Sequence, residues 1–115
     1  MSVTIYHNPR CSKSRQTLAL LQEKGIEPEI RLYLEDAPTA DELEEVVLKL
    51  GIEARELLRT GEKLYKSLEL ADPALSEQAI ITVMTAHPEL IERPIVFNDE
   101  EGRIGRPPEA VLEIL

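Results

Sequence analysis

Cysteine is nearly absent from this chain: Cys11 is the only one in 115 residues, which excludes an internal disulfide framework. With just two histidines beside it, there are too few ligands for a conventional zinc site. Tryptophan is missing, and three tyrosines and one phenylalanine are the only aromatics, so aliphatic side chains must fill the core. Basic charge is scarce as well: 13 Lys and Arg against 22 Asp and Glu leave a net charge of −9. That balance argues against a nucleic-acid partner, whose phosphates are neutralised by Lys and Arg, and against docking on anionic membranes. No apolar run is long enough to cross a bilayer, and the N-terminus does not read as a signal peptide. Walker loops and dinucleotide fingerprints are absent too. A cytoplasmic, reducing setting is the expectation, and it suits a thiol that has to stay free.

What is present concentrates around that thiol. The strand-like run Val3-Thr4-Ile5-Tyr6 leads into His7-Asn8-Pro9-Arg10-Cys11-Ser12-Lys13-Ser14-Arg15, and the helical pattern Gln16-Thr17-Leu18-Ala19-Leu20-Leu21 leads out. Cys11 therefore falls in the turn between a strand and the N-terminus of a helix, where unpaired N–H groups and the helix dipole favour an anion. With Arg10, Lys13 and Arg15 nearby, its thiol should ionise below the ordinary value of about 8.5. A lone cysteine is commonly a small buried hydrophobe; the polar, basic flanks favour a reactive thiolate here.

Along the rest of the chain, Gly25 is placed to stop the first helix. Pro28-Glu29-Ile30-Arg31-Leu32-Tyr33-Leu34 alternates as a half-buried strand would, with Ile30, Leu32 and Leu34 on the apolar side. Thr39-Ala40-Asp41-Glu42 has the form of a capping box, followed by a helix with Leu43, Val46, Val47 and Leu50 on one face and Gly51 at its end. From Ile52 to Ala86 the pattern is helical in short pieces, broken near Gly61 and Asp72-Pro73. Pro94-Ile95-Val96-Phe97 and Arg103-Ile104-Gly105 read as two strands of a hairpin. Pro107 suits the first turn of a final helix, with Ala110, Val111 and Leu112 on its apolar side. The expectation is one α/β domain over residues 1–115. A helical insertion, about 39–87, separates an N-terminal β-α-β unit from a C-terminal β-β-α unit.

Glu42, Glu44 and Glu45 read as a solvated helix face. A cysteine-phosphatase loop needs an arginine six positions after the cysteine, and position 17 is Thr. Arg93 and Arg106 stand at element boundaries, before Pro94 and Pro107, and Arg59 ends Glu56-Leu57-Leu58-Arg59 beside Thr60-Gly61. Guanidinium forks match the oxygens of tetrahedral oxyanions and stay charged at any relevant pH.

Taken together, these segments resemble the glutaredoxin-linked arsenate reductases, the ArsC-like family, and especially its short-chain branch. The likeness covers essentially the whole chain. It is carried by Ile5 to Arg15 as the nucleophile loop, by Leu57-Leu58-Arg59, by Glu92-Arg93-Pro94-Ile95-Val96 and by Ile104-Gly105-Arg106-Pro107-Pro108-Glu109. The resemblance implies a thioredoxin-like fold with a helical insertion and a cis Arg93-Pro94 bond facing Cys11. It implies Cys11 as the nucleophile that bonds to arsenic, and Arg59, Arg93 and Arg106 as oxyanion binders. His7 would help keep the thiol ionised through the Ser14 hydroxyl, while Asn8, Ser12 and Arg15 would shape and polarise the loop. Arg10 and Ser12-Lys13 depart from the smaller, less charged residues of other members. No bound cofactor or metal is implied.

Reducing As(V) to As(III) takes two electrons, and one cysteine cannot form a disulfide with itself. The resemblance thus implies glutathione as co-substrate and glutaredoxin as the partner that resolves the mixed disulfide. Two rival readings belong to the same fold. One is a thiol-disulfide oxidoreductase acting on glutathione mixed disulfides, which would not require three arginines. The other is a non-enzymatic regulator that binds RNA polymerase, whose C-x-x-C redox switch is excluded by Ser14.

Overall fold

Strand β1, Thr4–Tyr6, lies inside a four-stranded sheet in the computed structural model of the chain, which describes residues 2–115. The sheet order is β2-β1-β3-β4, with β2 at Glu29–Arg31, β3 at Ile95–Phe97 and β4 at Gly102–Ile104. β2 runs parallel to β1, with Ile30 opposite Ile5; β3 is antiparallel to β1 and β4 to β3. A crossover helix, α1 at Ser12–Glu23, joins the parallel pair. Gly25, at φ +78°, ends it: the Ile26 N–H reaches the Leu21 carbonyl and the Gly25 N–H reaches that of Gln22, both at 3.0 Å. Paired bonds of this kind close a helix at a left-handed glycine.

Between β2 and β3 the chain is helical in pieces: α2 (Ala40–Leu50), a 3-10 turn (Ala54–Leu57), α3 (Lys63–Ser67), α4 (Glu77–Ala86) and a second 3-10 turn (Pro88–Leu90). Thr39 and Glu42 form the expected capping box on α2, each side chain accepting the other's backbone N–H. The two faces of the sheet divide the core, because side chains alternate along each strand. On one face Ile5 and Val96 pack with Leu21 of α1 and with Val111 and Ile114. On the other, Tyr6 and Ile95 pack against the insertion, through Leu43, Val46, Leu57, Ile80, Met84, Leu90 and Ile91.

Two local expectations are corrected. The apolar side of the second strand is not buried: Ile30, Leu32 and Leu34 are 46%, 38% and 42% exposed, whereas Tyr33 is 1% exposed. β2 is a three-residue edge strand. Ile30 lies outside the cluster that gathers around its partner Ile5, and after Arg31 the chain turns at Leu32 instead of continuing extended. The final helix is a 3-10 helix, Pro108–Ile114, preceded by Pro107 at its N-cap. Its buried residues are Pro108, Val111 and Ile114, not the expected run Ala110, Val111, Leu112, because a three-residue period aligns every third side chain.

Candidate active site

Pairing in the sheet decides which chain ends meet. Tyr6, the last residue of β1, is opposite Ile95, the first of β3, and Ile95 is opposite Ile104, the last of β4. The segments just beyond these residues therefore emerge at one end of the sheet: the loop from His7 to Cys11, then Arg93-Pro94, then Gly105-Arg106. The insertion reaches the same end through an isolated antiparallel bridge between Leu58 and Ile91. The Arg59 N–H binds the Leu90 carbonyl and the Glu92 N–H binds that of Leu57, at 2.8 and 2.9 Å. Arg59 and Arg93 are 34 positions apart in sequence and become neighbours through two hydrogen bonds.

Cys11 is the N-cap of α1, in extended backbone, 9% exposed. Burial alone pushes its thiol pKa up, but the Ser14 N–H, the Arg93 guanidinium and the Lys13 N–H outweigh it, so the thiol ionises below its ordinary value. The Lys13 and Ser14 N–H groups belong to the first turn of the helix, where a Ser or Asp N-cap oxygen would accept them. They stabilise negative charge on the sulfur without closing a short cap bond of the kind oxygen makes. Arg106 Nη2 donates to Cys11 Sγ at 3.6 Å.

The loop is held by its own polar side chains. Asn8 Oδ1 accepts the Arg10 N–H, the Asn8 carbonyl accepts the Cys11 N–H, and Arg15 Nη1 donates to the Pro9 carbonyl at 2.8 Å. His7 Nδ1 and Ser14 Oγ are 2.6 Å apart, and that same hydroxyl oxygen accepts the Asn8 N–H. Burial first, and Arg15 second, lower the His7 pKa, so the ring is neutral at neutral pH. The Ser14 hydroxyl meets His7 and accepts the Asn8 N–H, while the Ser14 backbone N–H acts on the sulfur. Ser12 is exposed at the first position of α1 and takes no part in these loop bonds.

Arg93 and Arg106 act on the sulfur, and Arg59 joins them through Glu92. Arg59 Nη1 donates to Glu92 Oε1 at 2.8 Å, and Arg106 Nε donates to the Arg93 carbonyl at 2.8 Å. The Nε atoms of Arg59 and Arg93 are buried with no hydrogen-bond acceptor; the nearest carboxylate to Arg59 Nε, that of Glu62, lies 3.6 Å away. A buried donor left unpaired costs free energy, and native structures leave few of them. Two such donors, on arginines linked through Glu92 to the guanidinium that contacts the sulfur, leave hydrogen-bonding capacity suited to an anion bearing several oxygens. Among the described residues no cluster of His, Cys, Asp or Glu could hold a metal ion, and no helix is long and apolar enough to cross a membrane.

Comparison with known proteins places this geometry in a lineage. Residues 6–114 match the ArsC family. The chain belongs to that family. It is 54% identical to the arsenate reductase of Haemophilus influenzae, with both chains covered in full. It is also 58% identical to the uncharacterized protein YfgD of Escherichia coli K12, over 98% of this chain and 96% of that one. The solved arsenate reductase from Vibrio cholerae superposes with a TM-score of 0.97 at 54% identity, covering 100% of this chain and 98% of that one. The expected mixed α/β, thioredoxin-like architecture stands.

The Arg93-Pro94 bond of this ArsC chain is cis, as the resemblance implied, and so is Arg106-Pro107. Three residues near the site carry little or no local sequence signal of a role there. Glu92 was legible only as a carboxylate beside a proline-flanked arginine, yet it contacts two arginine side chains. Tyr33 is the out-of-phase aromatic in an alternating run. Burial raises its phenol to about 12 against the opposing fields of Arg93 and Arg59, so it stays protonated. Gly105 leaves no room for a side chain: a Cβ there would stand 2.5 Å from Thr17 Oγ1 and 2.8 Å from Pro94 Cγ. No local sequence signal marks that contact.

Proposed function

We propose that this ArsC-family chain is a cytoplasmic arsenate reductase that uses glutathione and glutaredoxin as its electron route. The observation that carries the reading is the convergence of Arg93 and Arg106 on the Cys11 sulfur, with Arg59 joined to them through Glu92 and the Nε donors of Arg59 and Arg93 left without an acceptor. Relatives named arsenate reductase, matched over the whole chain, give the oxyanion its identity.

In this reading arsenate enters as an anion and its oxygens take the open guanidinium donors. The Cys11 thiolate attacks arsenic; an S–As bond forms, an As–OH bond breaks, and the hydroxyl takes a proton from solvent and leaves as water. The arginines stabilise the negative oxygens of the adduct, in the manner of preorganised donors aimed at developing charge. Glutathione then adds to the intermediate. An S–S bond forms between its sulfur and that of Cys11, and the S–As electron pair stays on arsenic, which departs as As(III). Two sulfurs are each oxidised by one electron and arsenic gains two. Glutaredoxin takes the glutathionyl group and returns Cys11 as the thiol. Neutral His7, Ser14, Asn8 and Arg15 act on the loop and hold the sulfur at the helix end.

A single-turnover experiment tests the chemistry. Protein, arsenate and glutathione are mixed without glutaredoxin, and arsenite and intact protein mass are read together. The expected result is one arsenite per protein, with Cys11 carrying one glutathionyl group. Arsenite without that adduct, or an adduct that forms equally without arsenate, contradicts the proposal.

A further inference from the structure

A carboxylate among guanidinium groups should weaken an anion site, yet Glu92 stands in the middle of this one. Its Oε1 accepts from Arg59 Nη1 at 2.8 Å and from the Arg93 backbone N–H at 3.2 Å, and it lies 3.3 Å from Arg106 Nε. Its own backbone is pinned by the bond from its N–H to the Leu57 carbonyl, next to the bridge between Leu58 and Ile91.

A carboxylate so placed could act in two opposite ways. It could occupy the seat of the oxyanion and have to be displaced, or it could fix the arginines around an open seat. The contacts decide between these. Glu92 engages Arg59 through Nη1 and leaves the buried Arg59 Nε open; it engages only the backbone of Arg93 and leaves the buried Arg93 Nε open. Arg106 Nη2 remains on the sulfur. These unpaired buried donors are the ones that gain most from an acceptor once an anion reaches them.

We propose that Glu92 is a positioning residue that clamps Arg59 by a hydrogen bond and holds Arg106 by charge, the Arg93 carbonyl taking the Arg106 Nε–H, in the orientation in which the arginine trio receives the oxyanion. The inference rests on the oxyanion reading above and assigns a task to a residue that reading leaves idle. One oxygen serving three contacts from a fixed backbone makes reach the critical property. Holding guanidinium groups in place before the ligand arrives removes the cost of ordering them on binding.

Two variants separate reach from charge. Glu92→Asp keeps the charge and withdraws the oxygen by one methylene; Glu92→Gln keeps an oxygen in place and removes the charge. The probe is arsenate itself, read by its protection of Cys11 from alkylation by neutral iodoacetamide, at a pH where the thiol is fully ionised and with no glutathione present. Glu92→Asp is expected to raise the half-protecting arsenate concentration at least tenfold, and Glu92→Gln to raise it less. The alkylation rate without arsenate should stay within twofold in both. An unchanged or lower concentration in Glu92→Asp overturns the proposal, as does a larger loss in Glu92→Gln than in Glu92→Asp. A drop in melting temperature with unchanged protection also overturns it, because that is the signature of a purely structural contact. If wild-type protein is not protected at all, the oxyanion reading itself fails, and this inference fails with it.

Discussion

Two opposing effects meet at the Cys11 sulfur. Burial favours the neutral thiol; the Ser14 and Lys13 N–H groups and the Arg93 guanidinium favour the thiolate, and they prevail. The folded state therefore prefers the ionised form. That contribution to stability is complete above the unfolded-state pKa of about 8.5 and is lost as pH falls through the lower folded value. The rate of alkylation by iodoacetamide should accordingly rise with pH to a midpoint below that of a free cysteine. Arg93→Gln should move the midpoint back up, with circular dichroism unchanged. A wild-type midpoint at the free-cysteine value would remove the basis for a nucleophile. His7 adds no positive charge to this balance, since burial and Arg15 keep its ring neutral. It acts by holding the Ser14 hydroxyl, and thus the first turn of α1, against the loop.

At the scale of elements, the site depends on how closely strand ends and helices approach. Gly105→Ala should place a methyl group against Thr17 and Pro94, at a cost of about 1–3 kcal/mol from overpacking. Urea denaturation should report that loss. A neutral result would mean that the approach of β4 to α1 is looser than the contact implies. The Arg31–Glu42 pair, at 2.7 Å, ties β2 to α2. Its hydrogen bond, with the Thr39 N–H, holds the Glu42 carboxyl below the usual carboxylate range. The pair's contribution is present above the ordinary pKa of about 4.3 and disappears as pH falls through the lower folded value. Arg31→Gln should therefore flatten the acid limb of the stability profile, and an unchanged limb would contradict it. Much of this scale was legible in the sequence: the capping box at Thr39, the stops at Gly25 and Gly51, the hairpin and the cysteine at a helix start all follow from local residue chemistry. The exposure of Ile30, Leu32 and Leu34 was not, because alternation marks two faces without saying which is covered. The three-residue period of the last helix was equally hidden among residues compatible with either helix type. Glu92 and Gly105 escaped for another reason: their importance lies in partners far away in sequence.

Across the whole molecule, the insertion is joined to the sheet by one cluster that runs from Tyr6 and Ile95 to Leu57, Leu90 and Ile91. The same bridge that buries Ile91 sets Arg59 beside Glu92, so the core and the site share their supports. Ile91→Ala, at a fully buried position, should cost about 2–5 kcal/mol and weaken protection of Cys11 by arsenate at the same time. Loss of stability with protection intact would separate the two. The arrangement also accounts for how a chain with a net charge of −9 can receive an anion: its acidic surplus is spread over the surface, while three arginines converge at one end of the sheet.

The central proposal for Cys11 is reduction of arsenate with electrons delivered from outside the chain. The most direct test is NADPH-coupled turnover with arsenate, glutathione, glutaredoxin and glutathione reductase, alongside Cys11→Ser and with each component omitted in turn. The account predicts arsenate-dependent NADPH consumption that vanishes in Cys11→Ser and without glutathione or glutaredoxin. Turnover that survives in Cys11→Ser, or no turnover from wild-type protein whose Cys11 alkylates as a thiolate, would contradict it.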